Sequence, residues 1–417
     1  MITLTEEQER ALEAIQGWYL HGSARQDPFH LFGPAGTGKT MLARHLAEKL
    51  GVRNIVFGAY TGKAASVLAR RGVPATTIHS AIYRPTGSAE VRLELSAVLG
   101  EIADIKMSDV LDTEPGARKR IEQLEQEAEN LEEILRQPAF TLNPDSEWAY
   151  ADLIVLDEVS MVNKEMAADI ESFGVPVLVL GDPFQLPPVF GTGHYTDAVP
   201  DVLLETIHRQ ALESPVLRLA TDIRTGAYRR PDDMPIVSIS AAMQHEQVLC
   251  WRNATRWKLT EAIRSKVGWP VGRPVVGDRV MCLVNNKKDL GILNGQQFDV
   301  LEVKGEALLL RECGTANERW IQAHPDGFSQ EGEPKLKGHR LFRGGVGAFT
   351  FADVVTVHKA QGSEWDSVYV VDETRPMIAQ EARREGSTFA HEQARRWLYT
   401  AVTRAKDSVT LARLKSG

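Results

Sequence analysis

Eight consecutive residues, Gly33-Pro34-Ala35-Gly36-Thr37-Gly38-Lys39-Thr40, match the pattern GxxxxGK[ST]. A short apolar run, His30-Leu31-Phe32, precedes them, and the helix-forming stretch Met41 to Leu50 follows. That strand–loop–helix setting is what phosphate binding needs. Glycines let successive backbone N–H groups converge on oxygen atoms, and the helix N-terminus adds partial positive charge. Lys39 would neutralise the β and γ phosphates, and Thr40 would ligate Mg²⁺. Further on, the apolar run Leu153-Ile154-Val155-Leu156 ends in two carboxylates, Asp157 and Glu158. At the C-terminal end of a parallel strand, such a pair faces the phosphate crevice. Asp157 would hold Mg²⁺ through water, and Glu158 would orient or deprotonate the attacking water. An acidic pair caps many strands, but behind a phosphate loop it points to nucleoside triphosphate hydrolysis. Asn286-Lys287-Lys288-Asp289 fits the guanine-reading pattern NKxD. It lies in a β-like segment more than a hundred residues after the carboxylates and reads as a charged turn, so ATP is the expected fuel.

These residues need parallel sheets to position them. Residues 1–80 alternate strand and helix, starting with a helix from Thr5 that has Glu7 and Gln8 in its opening turn. The alternation stops over 81–149. There Leu95, Val98, Leu99, Ile102 and Ile105, and then Ile121, Leu124, Leu131, Ile134 and Leu135, recur at helical spacing around a Pro115-Gly116 break. Two helices folded back on each other is one reading, and a single exposed charged helix with a loop is the other. The α/β rhythm resumes over 150–205 and, after a helix-rich start, over 206–275. Short β-like runs with turn candidates at Leu290-Gly291 and Asn294-Gly295 mark a small β insert over 276–345. The α/β rhythm closes the chain over 346–417. The predicted class is α/β: two lobes with parallel sheets, one mostly helical insert and one small β insert.

The 417 residues carry 48 Lys and Arg against 56 Asp and Glu, a formal charge of −8. That argues against a global basic field for nucleic acid. Within 81–149, however, 7 basic residues face 15 acidic ones, so this insert alone supplies −8 and the remainder is neutral. Three dispersed cysteines, Cys250, Cys282 and Cys313, fit neither a disulfide framework nor a zinc site. No apolar run is long enough for a membrane span, and the acidic N-terminus does not read as a signal peptide. A reducing cytosol is the expected compartment.

With both nucleotide motifs placed, further segments become recognisable. YTGKAASVL, ATTIHSAI, LDEVSMV, GDPFQLPPV, ETIHRQ, TVHKAQGSEWDSVYV and LYTAVTRAK follow GPAGTGKT in order. From about Gln8 to Lys406 the chain resembles the superfamily 1 DNA helicases, in the RecD-like and Dda-like (1B) branch. The resemblance implies two RecA-like motor lobes with ATP between them and movement along single-stranded DNA, typically 5′ to 3′. It implies that Gln185 contacts the γ-phosphate while Asp182 braces its loop. Arg209 and Arg404 match the paired arginines that the second lobe contributes across the cleft, where positive charge stabilises the transferring phosphoryl group. Gln8 resembles the adenine-reading glutamine, with helix-start chemistry as its rival. Glu364 resembles the residue touching the ribose, with a structural ion pair as its rival.

For the strand, Thr61, Gly62, Lys63, Thr77 and His79 in the first lobe, and Thr356, His358, Lys359 and Gln361 in the second, sit where loops leave a sheet. Hydroxyl and backbone N–H groups there can hold phosphates without reading sequence. Packing is the rival role for both histidines, and core burial is the rival to base stacking for Trp365 and Trp397. The β insert resembles the SH3-like module of this branch. Its Lys287, Lys288, Lys304, Lys335, Lys337, Arg340 and Arg343 either guide the strand or are solvated surface charge. The branch often carries a strand-separating β-hairpin where this chain has its acidic insert, and only Phe140 and Trp148 offer themselves as apolar fork contacts. The expected partners are single-stranded and forked DNA. A basic replication or repair protein at the acidic insert is a further expected partner, and recombination belongs to the same sphere. The chain is expected to act as a monomer, in a bacterial or phage-infected cell. The rival functions are an RNA-directed remodeller and an ATPase-based recruitment factor.

Overall fold

A computed structural model describes residues 4–20, 27–70, 72–85, 88–107, 117–136, 140–187, 194–196, 198–206, 214–284, 290–329 and 346–415. The apolar runs of the first lobe form a six-stranded parallel sheet in the order Ala75–Thr77, Ile55–Ala59, Leu153–Asp157, Val177–Gly181, Phe29–Phe32, Val202–Leu203. Strands covered by helices on both faces are apolar throughout, so Leu153–Leu156 and Val177–Gly181 are buried along their length. The helix Gly62–Arg70 returns the chain between the parallel neighbours Ile55–Ala59 and Ala75–Thr77, whereas Lys39–Leu50 carries it from Phe29–Phe32 past two strands to Ile55–Ala59. The phosphate loop and the Asp157–Glu158 pair both follow the C-terminal ends of strands in this sheet.

The second lobe is a four-stranded parallel sheet, ordered Val354–Thr356, Gln247–Cys250, Trp365–Asp372, Ala405–Arg413. The helix Ser387–Val402 packs Trp397, Leu398 and Ala401 into its core. Trp365 and Trp397 are both buried, so packing, not base stacking, is the fate of both indoles. Between the strands of this lobe sits a six-stranded β module, mostly antiparallel, from Arg279–Cys282 to Phe349–Phe351. The module runs past residue 345. Phe349–Phe351 pairs with Arg279–Cys282, and Phe349 and Phe351 complete an apolar core with Phe298 and Phe328. At its base, Arg264 is fully buried against Asp278 and donates to the carbonyls of Pro270 and Arg273.

The segment His79–Glu147 forms its own compact unit. The helices Ser88–Met107 and Ala117–Arg136 pack through Val98, Ile102, Leu124, Ala128 and Leu131, and Arg120 pairs with Glu101 at 2.9 Å. The helical pair is therefore the correct alternative. The unit also contains a two-stranded antiparallel ribbon, Tyr83–Pro85 against Phe140–Leu142, which the sequence did not announce. His79 lies edge-on to Phe140, with ring centroids 4.6 Å apart, and Phe140 is exposed. Trp148 is no fork contact. Its indole is 3% exposed and lies in the first lobe against Gly58, where a Cβ would have no room. Among the described residues no helix is long and apolar enough to cross a membrane.

Candidate active site between the two lobes

One cleft of ≈ 800 Å³ is lined by the phosphate loop, Asp157, Glu158, Asp182 and Gln185 from the first lobe, and by Glu364, Arg404 and Lys406 from the second. The sequence-predicted phosphate and hydrolysis residues thus converge from five separate segments. In the loop, the Lys39 ammonium donates to the carbonyls of Gly33 (2.5 Å) and Pro34 (3.1 Å). Gly33 itself is pressed against the Leu204 carbonyl. The Thr40 hydroxyl donates to Asp157 Oδ2 at 2.7 Å. A hydroxyl and a carboxylate that close together are a hard-oxygen donor pair suited to Mg²⁺. That ion takes few protein oxygens and fills its octahedron with phosphate and water.

Glu158 has φ 54°, and it is the only described non-glycine residue with positive φ. Such a conformation costs energy and is held by surrounding structure. Here the Glu158 N–H donates to Asp157 Oδ1 at 2.8 Å. Burial pushes the Glu158 carboxyl above the ordinary range, and Asp157 and Asp182 push the same way. Arg404, followed by Lys39, opposes them. Asp182 organises the next loop, accepting from the Phe184 N–H at 3.0 Å and from the Tyr399 hydroxyl at 2.7 Å. Gln185 is buried, and its Oε1 has no hydrogen-bond partner. Arg404 is held by its own lobe. It donates to the carbonyls of Thr400 and Ser363 (both 3.2 Å) and to the Thr403 hydroxyl, with only 4% of its surface exposed. Arg209 lies outside the described residues, as do Asn286 and Asp289 of the NKxD match and every basic residue named in the β insert except Lys304. Lys304 pairs with Glu302 at 2.9 Å and covers the Trp320 ring.

Gln8 carries helix-start chemistry. Thr5 and Gln8 form a reciprocal capping box, the Thr5 N–H donating to Gln8 Oε1 and the Gln8 N–H to the Thr5 hydroxyl. The Gln8 amide also donates to the Thr37 carbonyl at 3.0 Å, bracing the phosphate loop from behind, and it does not line the cleft.

The residues predicted for the strand divide. Thr61 caps its helix through the Ala64 N–H, Gly62 packs against Leu293 of the β module, and Lys63 lies over the buried Trp365 ring at 4.2 Å. Gly362, at φ +71°, lets the second lobe approach Thr61. The first lobe's loop is thus docked on the second lobe and the β module. Thr77 and Thr356 are buried at strand ends, with His358 and Lys359 partly exposed beyond Thr356. Burial lowers the pKa of both His79 and His358, favouring neutral rings. Gln361 is not on an open surface. It is 5% exposed and donates to the Leu186 carbonyl at 2.9 Å and the Ser160 hydroxyl at 3.5 Å, so it bridges the lobes. Thr400 does the same from another helix, its hydroxyl accepting from the Leu186 N–H at 2.9 Å. Sequence reasoning missed Thr400 and Tyr399, although both lie in the LYTAVTRAK segment quoted for Arg404.

A family model described as an AAA domain matches residues 3–248, and one described as a UvrD-like helicase C-terminal domain matches residues 351–412. The chain belongs to the AAA domain family. The UvrD-like helicase C-terminal domain model that follows it covers the segment holding the TVHKAQGSEWDSVYV and LYTAVTRAK motifs. Solved structures share its fold. The Bacteroides Pif1 helicase bound to single-stranded DNA is 19% identical, with a TM-score of 0.55 and 100% and 93% of the two chains covered. A Pif1 helicase from Bacteroides in complex with ADP-AlF3 and single-stranded DNA is 18% identical, with a TM-score of 0.55 and 100% and 94% covered. A structure of two coordinating Pif1 helicases at forked double-stranded DNA is 18% identical, with a TM-score of 0.54 and 100% and 93% covered. No curated protein matches the chain.

Proposed function

We propose that this AAA-domain protein is an ATP-dependent DNA helicase that moves 5′ to 3′ on single-stranded DNA and separates the strands of forked duplexes. The observation that carries the reading is the shared cleft, in which Lys39, Glu158 and Gln185 of one lobe face Arg404 of the other. ATP would lie along the phosphate loop, with Lys39 on its terminal phosphates. Thr40 and Asp157 would hold Mg²⁺, which supplies positive charge to the β and γ oxygens. Glu158 would take a proton from the attacking water, and its raised pKa makes it a stronger base than an ordinary surface carboxylate. Arg404 and Lys39 would stabilise the charge that develops on the transferring group. Glu364 lines the same cleft and is assigned to the ribose. Loss of the γ-phosphate would be felt at Gln185. Its loop continues into Leu186, whose carbonyl and N–H meet Gln361 and Thr400 of the second lobe.

The strand is assigned to Thr61, Gly62, Lys63, Thr77, His79, Thr356, His358 and Lys359. With the 61–63 loop docked as it is, seating a strand there requires the lobes to shift. The Pif1 relatives caught with single-stranded and forked DNA support DNA as the track. The acidic helical pair would be repelled by phosphates, so it is assigned to a basic protein partner in replication, repair or recombination. The motor is proposed to work as a monomer in the cytoplasm.

The test is ATP turnover with DNA and RNA homopolymers. Single-stranded DNA should raise turnover by about tenfold or more and RNA by far less, and removal of roughly residues 90–138 should leave the DNA effect intact. Equal or greater stimulation by RNA would make the protein an RNA-directed remodeller.

A further inference from the structure

The second lobe reaches the phosphate loop itself through one side chain. The N–H of Ala35, the third residue of the loop, donates to the Tyr399 hydroxyl oxygen at 3.1 Å. That hydroxyl in turn donates to Asp182 Oδ2 at 2.7 Å. A single phenol therefore joins the loop that receives phosphate to the loop that carries Gln185, from a helix of the opposite lobe. Tyr399 is 2% exposed, and its ring lies edge-on to Phe184 at 6.3 Å. Burial and the Asp182 carboxylate hold its proton in place at all ordinary pH values. The hydroxyl is thus a fixed donor to Asp182 and a fixed acceptor for Ala35.

The same helix delivers the arginine. Thr400 receives the Leu186 N–H through its hydroxyl and the Arg404 Nε through its carbonyl. Displacing this helix by 1 Å would therefore disturb three things together: the Asp182–Gln185 loop, the Ala35 amide and the seat of Arg404. Buried hydrogen bonds to a charged acceptor are the stronger kind, and a buried carboxylate that loses one of its donors shifts to find another.

We propose that Tyr399 is a positioning residue for hydrolysis. Its hydroxyl fixes Asp182, and through it Gln185, relative to the phosphate loop, so that the position of the second lobe sets the rate of turnover. The proposal rests on the assignment of this cleft to ATP hydrolysis. Removing the hydroxyl should lower turnover and leave nucleotide affinity nearly unchanged, because Lys39, Thr40 and the remaining loop amides stay in place. Loss of kcat without loss of ground-state binding marks an interaction made for the transition state.

The test uses Tyr399→Phe, which keeps the ring and its packing, together with Asp182→Asn and the double variant. For Tyr399→Phe, kcat with saturating single-stranded DNA should fall about tenfold or more, while the Kd for fluorescent ADP stays within about threefold of the wild type. Because the two groups act as a unit, the double variant should be no slower than the slower single variant. Wild-type kcat in Tyr399→Phe, a loss confined to ADP binding, or multiplicative losses in the double variant would each overturn the proposal. Should Tyr399→Phe melt below the assay temperature, Asp182→Asn alone carries the test: a kcat loss of about tenfold at unchanged ADP affinity supports it, and unchanged kcat overturns it. Wild-type turnover that DNA does not accelerate would instead count against the helicase reading. The cycle would then be scored on turnover without DNA.

Discussion

Lys39→Ala removes ATP turnover, with kcat falling by about 10³-fold or more whether or not DNA is present. The Lys39 ammonium is on hand within the phosphate loop, where it donates to the Gly33 and Pro34 carbonyls. Those carbonyls are weak partners compared with phosphate oxygens, so the charge is poised to move onto the nucleotide. A fixed cation held beside a developing negative charge between protein walls contributes far more than the same charge in solvent. Arg404 remains in the variant but is committed to Ser363, Thr400 and Thr403, and it cannot take the position of Lys39. ADP-release kinetics and steady-state turnover in one preparation check the prediction. Unchanged turnover would remove the phosphate-site assignment.

Glu158→Gln separates binding from chemistry. General-base assistance is worth about 10²–10⁴ in rate, so kcat falls by that factor while ATP still binds. The pH profile supplies the sign. A base works only when deprotonated, and burial has raised the Glu158 pKa above its ordinary value. Turnover therefore rises with pH along an acid limb lying higher than an unperturbed carboxylate would give, and it falls as pH drops through that limb. Glutamine does not titrate at ordinary pH, so the variant's residual turnover loses this limb. A variant that keeps the limb would assign it to another group and would leave Glu158 with a structural role only. The left-handed backbone at Glu158 makes a second demand on the site. The substitution to glutamine preserves side-chain length, and the backbone N–H bond to Asp157 does not depend on the side chain.

The phosphate loop and the Asp157–Glu158 pair were legible because each is continuous in sequence: strand, turn and helix lie side by side, and the sheet only has to place their ends together. The helical pair was legible for a similar reason, since Val98, Ile102, Leu124 and Leu131 carry a helical period that survives without knowledge of the partner. The ribbon within that unit was not. Its strands are three residues each and lie far apart along the chain, leaving no local period to detect. The Thr5–Gln8 capping box is a local signal that the sequence carries within four residues. Gln361, Thr400 and Tyr399 were missed as bridges for a different reason. Their partners lie 175, 214 and 364 residues away, and only the docking of two lobes reveals them. Trp148 misled because an aromatic near an insert boundary looks exposed in sequence, whereas Gly58 opens a slot for it in the first lobe's core.

The most direct test is strand displacement from a labelled duplex carrying either a 5′ or a 3′ single-stranded tail, with ATP and Mg²⁺ at limiting protein. ATP-dependent release is expected from the 5′-tailed duplex, little from the 3′-tailed one, and none from either with Lys39→Ala. Release from the 3′-tailed substrate alone would reverse the assigned polarity. Release from neither, while DNA-stimulated turnover persists, would contradict strand separation as what this motor does.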